Sequence, residues 1–241
     1  MLHGPVFNFS PRSFIYPLKD SALRQNIWQA WKLALGLACL AVFSSPASLA
    51  QQAPDLSGIW MATSPRSILT DNMPELTARA RADIESFDPL SDPIIRCVMP
   101  GFPRSGLIIY PFEIVQTDSM ILFLYESFGM VRRIYMDGRQ PPDYLPPSRM
   151  GYSLGHWEQD ELVIETHNIA AGLLDGTGLN QYGDITVQER YRLTGSGELQ
   201  AQVDITAPQT FAEPWSRLFS WERDPEAMIF ESVCDPADSR F

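Results

Sequence analysis

Lysine is almost missing from this chain: Lys19 and Lys32 are the only two in 241 residues. Eighteen basic residues stand against 29 acidic ones, a formal net charge of −11. Such a surface repels nucleic acid and anionic lipid, which excludes nucleic-acid binding. Residues 33–43 (LALGLACLAVF) are apolar, but a membrane-crossing helix needs roughly 20 such residues, so no stable membrane insertion is expected. There is no Gly-rich phosphate loop, no Gly-x-Ser-x-Gly elbow, no paired CxxC and no His-Glu-x-x-His. No strong catalytic signature is therefore present, and neither a cofactor nor a metal is expected.

What the early residues do contain is a targeting pattern. Arg12, Lys19, Arg24 and Lys32 precede the short apolar run, and Ser48 and Ala50 supply the small residues that signal peptidase accepts. Residues 1–50 read as a signal peptide, cleaved after Ala50, and the protein as periplasmic or secreted. Removal leaves 241 − 50 = 191 residues, enough for one domain with a proper core. Both lysines go with the signal. Fourteen arginines then face 28 carboxylates, because Asp20 is also lost, and 14 − 28 gives −14.

Cysteine is scarce as well. Cys97 and Cys234 survive processing, and in an oxidising compartment an even pair reads as one disulfide, with two buried thiols as the alternative.

The hydrophobic pattern after residue 50 is mostly of period two. Residues 54–61 (PDLSGIWM) read as a first strand and residues 73–87 as a short helix, with Pro74 near its first turn and Leu76, Ala80 and Ile84 at helical spacing. Strands are expected at 112–117, 120–127, 131–136, 150–158, 161–167, 185–194, 198–207, 216–222 and 227–233, with another near Ile108. Tight connections at Asp118 and Ser119, at Gln159 and Asp160, and at residues 195–197 mark three hairpins. The fold class is all-β: an antiparallel up-and-down barrel of about 8–10 strands with one short N-terminal helix, or a sandwich as second choice. Residues 51–105 form a strand, helix and loop packing on the barrel, and residues 106–241 form the barrel. Its interior holds either packed side chains or one small ligand. The loops at residues 140–147 (QPPDYLPP) and 168–184 read as lids over a barrel mouth or as plain surface loops.

Chemistry has few places to reside. Glu189 is the one charge on the otherwise apolar face of Ile185, Val187, Tyr191 and Leu193, so it is either an acid–base group of raised pKa or half of a buried ion pair with an arginine such as Arg133. Arg132 and Arg133 are adjacent, so one must point inward. With Tyr125 and Tyr135 nearby, Arg133 is assigned to clamp a carboxylate that the phenols orient, or else an arginine closes the barrel end. Glu165 and His167 share a strand face, with His156 on the neighbouring strand. They are candidates for ligand hydrogen bonding or proton transfer, for a weak metal set, or for purely structural roles. Asp137, Gly138 and Arg139 read as a turn.

Two sets of residues carry a family resemblance. Gly58-x-Trp60 opening a β meander is similar to the first strand of lipocalins. PFEIVQT, DGR, PPSRMGYSLGHWEQDELVIETH, ERYRL and Pro214-Trp215, with Cys97 and Cys234 flanking, resemble a broad set of exported bacterial proteins of largely unassigned function, over residues 56–234. That set has WEGD-x-L where this chain has WEQDEL, and histidine where Tyr152 and Pro141 stand. The resemblance implies a lipocalin-like barrel whose chemistry rests on Tyr, Arg and Glu, with Tyr152 among the substrate-binding groups. Lipocalin-like barrels include binding proteins and cofactor-free enzymes such as phenolic acid decarboxylases. Two functions follow. One is a cofactor-independent lyase or isomerase acting on a small hydrophobic or aromatic acid, with Glu189, His167 and Tyr135 catalytic and Arg133, Tyr125, Tyr152, His156 and Glu165 binding substrate. The other is a non-catalytic periplasmic binding protein.

Overall fold

The computed structural model describes residues 53–63, 73–106 and 110–235, all within the compact unit Gln51–Phe241. The proposed signal peptide and the strand near Ile108 lie outside the described residues.

Period-two alternation builds the sheet. Its strands are β1 (Gly58–Ala62), β2 (Phe112–Gln116), β3 (Met120–Tyr125), β4 (Val131–Tyr135), β5 (Tyr152–Glu158) and β6 (Glu161–His167), then β9 (Thr186–Leu193), β10 (Leu199–Thr206) and β11 (Trp215–Arg223). They close into a nine-stranded barrel in the order β1-β11-β10-β9-β6-β5-β4-β3-β2. The fold is therefore all-β and mostly antiparallel, consistent with lipocalin-like architecture. The excursion between β6 and β9 carries a separate two-stranded sheet, β7 (Gly172–Leu173) with β8 (Asn180–Gln181). All three expected tight hairpins form, joining β2 to β3, β5 to β6 and β9 to β10.

Three departures from the sequence reading have local causes. β4 and β5 run parallel, meeting only at Ile134↔Ser153 and Tyr135↔Leu154. The proline-rich residues 136–151 carry the chain back before β5 starts, so a simple meander is interrupted there. The strand expected at residues 227–233 is absent, because β1 already occupies that edge of β11. Met228, Phe230 and Val233 lie exposed on a strap leading to Cys234. The helix, α1, is only Ala78–Ser86. Thr77 caps it by accepting the Ala80 N–H at 3.1 Å, while Leu76 just before it bridges to Phe211.

Aromatic side chains cluster inside the barrel. Phe112 contacts Phe123 (centroids 5.6 Å) and Trp221 (5.5 Å), and Tyr191 closes the group against Phe123 at 5.3 Å. Trp60 is fully buried with its indole N–H donated to the Leu56 carbonyl at 2.9 Å. Each such ring stabilises the fold by about 1.5–3 kcal/mol. These rings occupy part of the interior, and the barrel fold is compatible with small-molecule binding.

Cys97 and Cys234 form a disulfide across 137 residues, tying the C-terminal strap to the loop before Phe102. Closing a loop of that length is worth up to about 4–5 kcal/mol in the chain-entropy model. Thermal unfolding with and without reductant should show the reduced protein melting roughly 10 °C lower; an unchanged midpoint would mean the strap adds nothing to the barrel.

Candidate functional site

Alternation decides which arginine enters the barrel. On β4, Arg132 and Ile134 point inward, whereas Val131 and Arg133 point outward. Arg132 is 1% exposed and Glu189 is 0% exposed. The guanidinium donates to both Glu189 carboxylate oxygens, at 3.0 Å from Nη1 to Oε1 and by a shorter bond from Nη2 to Oε2. It also donates to Ser153 Oγ at 3.1 Å and to Thr166 Oγ1 at 2.6 Å. Tyr191 donates its hydroxyl to Glu189 Oε1 at 2.8 Å, and the Phe102 ring lies 3.8 Å from the guanidinium carbon.

Glu189 thus forms the ion pair that its apolar strand face allowed, with Arg132 in place of Arg133. Burial works against the charge on Arg132, yet the facing carboxylate holds its pKa above the ordinary value. Burial pushes Tyr125 up to about 12, and Tyr191 well above its usual 10.0 by the same cause. With three bonds from two donor residues on Glu189, and the network closed to solvent, the geometry suits a structural clamp more than a proton carrier.

A second group lies on the outer face. Gly151, at φ +67°, turns the chain just before β5. A Cβ there would meet the His167 carbonyl at 2.7 Å. The preceding segment is held away from β4: Ser148 N donates to the Asn168 carbonyl at 3.1 Å, and Ala170 N donates to the Ser148 carbonyl at 2.8 Å. β4 and β5 therefore diverge, and a cleft of about 560 Å³ opens between β4 and the proline-rich loop. That volume suits a small organic ligand.

Arg133, Arg139, Tyr135 and Tyr152 line it, with Val131 and Leu145 supplying apolar wall. Tyr135 and Tyr152 stack at 5.0 Å, the Arg139 guanidinium sits 4.8 Å from the Tyr135 ring, and Tyr152 donates to the Arg139 carbonyl at 3.1 Å. Asp137 accepts from Arg139, and this bond lowers the Asp137 carboxyl to about 2. Burial, then the neighbouring Tyr135, raises the Tyr152 pKa. The Arg133 side chain is exposed and makes no hydrogen bond or ion pair among the described residues. No carboxylate and no histidine lines the cleft among the described residues.

The candidates named from sequence therefore separate. Arg133, Tyr135 and Tyr152 meet at the cleft, while Glu189 and Tyr125 lie inside the barrel. His167 stands opposite Tyr152 in the β5–β6 register but turns to Glu165 at 3.7 Å, both exposed. His156 is exposed and bonds Glu158 at 3.0 Å. Arg132, Ser153, Thr166 and Tyr191 were missed as a network, and Arg139 was read only as a turn. One signal was available: Arg132 shares strand parity with the aliphatic Ile134, and Arg133 shares it with the amphipathic Tyr135.

No protein-family model matches the chain, and no curated protein matches it.

Two measurements test the buried network. Arg132→Met or Glu189→Gln alone should destabilise the fold by about 3–5 kcal/mol in denaturant titrations. Arg132→Met combined with Glu189→Leu should recover most of that loss, since no unpaired charge remains. The tyrosines set an alkaline limit. Below pH 10 they are protonated whether the chain is folded or not; between pH 10 and about 12 the unfolded chain releases protons that the folded one keeps. Stability should fall there by about 1.4 kcal/mol per pH unit for each buried tyrosine, and Tyr125→Phe should flatten the decline.

Proposed function

We propose that this chain is an exported, non-catalytic binding protein for a small hydrophobic or aromatic carboxylate, held in the outer cleft beside β4. One observation carries the proposal: an exposed arginine without a partner, Arg133, borders a cleft that also holds a stacked tyrosine pair. A free guanidinium recognises a carboxylate through a planar fork of donors. The tyrosines offer a face to a ring, and Val131 and Leu145 cover apolar surface.

Binding without turnover is favoured because the acid–base groups are elsewhere. Glu189 is bonded within the barrel, and His156 and His167 pair with glutamates outside the cleft. The export signal expected in residues 1–50 and the Cys97–Cys234 disulfide support a periplasmic or secreted location. The absence of cofactor motifs agrees with recognition by side chains alone.

Calorimetry with 2-naphthoate tests this. One-to-one binding is expected, weakened at least tenfold (about 1.4 kcal/mol) by Arg133→Gln and also weakened by Tyr152→Ala. Product formation, or affinity indifferent to both substitutions, would overturn the proposal.

A further inference from the structure

One edge of β4 is incomplete. Toward β3 the strand is paired from Val131 to Tyr135, but toward β5 only Ile134 and Tyr135 have strand partners. Val131, Arg132 and Arg133 all border the cleft, and the Arg132 side chain is buried within the barrel, so its contribution there is main chain. In an antiparallel ladder alternate residues turn their N–H and C=O groups to opposite sides. Tyr125 N donates to the Met130 carbonyl and Met136 N to the Ser119 carbonyl. That register gives the even-numbered residues of β4 to β3; the parallel bridge of Ile134 to Ser153 then engages the Arg133 carbonyl, so the Val131 N–H and C=O and the Arg133 N–H are left facing the cleft.

An unpaired strand edge is a template for another strand. At roughly 3.3 Å per residue, Val131 to Arg133 offers about 10 Å, room for two or three residues. An added strand must stop there, because β5 occupies the edge from Ile134 onward. Its terminus therefore falls beside Arg133, the cation without a partner. A carboxylate is attracted at that point and an ammonium is repelled.

Building on the cleft assignment above, we infer that the ligand is the C-terminal end of an extended peptide. It adds to β4 as a short strand, places its terminal carboxylate on Arg133 and lays an aromatic last side chain against Tyr135 and Tyr152. Main-chain bonds supply affinity that a free aromatic acid lacks. The arginine and the tyrosine pair select the terminus and the last residue.

Calorimetry on the full protein compares Ala-Ala-Phe as free acid, its C-terminal amide and 3-phenylpropanoate. The tripeptide acid is expected to bind at least tenfold more tightly than either of the others. Arg133→Gln should remove that preference over the amide, while Arg133→Lys should retain part of it. Both variants are at an exposed position, and circular dichroism checks that they remain folded. Equal affinity for 3-phenylpropanoate and the tripeptide would overturn the peptide inference and leave the cleft reading standing. Equal affinity for acid and amide, or tripeptide binding untouched by Arg133→Gln, would also overturn it. No binding of any of the three, nor of 2-naphthoate, would sink both readings.

Discussion

A charge pair in the middle of an apolar barrel constrains the rest of the molecule. Taking Arg132 and Glu189 out of water costs several kcal/mol per ion, and the loss is offset only where every donor and acceptor finds a partner. The partners come from four strands: Arg132 from β4, Ser153 from β5, Thr166 from β6, and Glu189 with Tyr191 from β9. Those strands must hold one register for the bonds to form. A shift of one residue would turn the guanidinium to solvent and leave the carboxylate alone in the core. The Phe102 ring lies over the guanidinium, in a segment that begins near the disulfide at Cys97.

An aromatic cluster packs inside the same barrel. Phe112, Phe123, Tyr191 and Trp221 are in mutual contact there. The cleft beside β4 comes from chain routing. A parallel neighbour cannot be reached by a tight turn, so the chain travels through residues 136–151 and enters β5 late. Gly151 directs that entry, and β4 is left with half of one edge bare. Arg133 and Tyr135 share the outward parity of that strand, so the bare edge comes with a cation and a ring beside it.

Strand periodicity carried far in this chain. Eight of the nine barrel strands after residue 50 were legible because their residues alternate with period two and they end at turns of recognisable chemistry. The remaining stave, β1, was also anticipated, as an opening strand near Gly58 and Trp60, though not as the element that closes the barrel. Residues 227–233 failed for the complementary reason. Their composition suits a strand, but pairing needs a free edge, and β1 had taken it. At the site, Arg133, Tyr135 and Tyr152 were identified individually, whereas the partnership of Arg132 with Glu189 was not. Two adjacent arginines have opposite orientations in any strand, and local sequence does not say which face is the inside.

The sequence alone determined the class of fold, the hairpins and the residue types available for recognition. These depend on period, turn chemistry and composition, all of which are local or additive. Tertiary structure decided which arginine is buried, which aromatic rings meet inside the barrel, and that β4 meets β5 in parallel with an open seam. Each of those depends on which strands become neighbours across long stretches of chain, and closure of the barrel is what assigns every residue its inside or its outside.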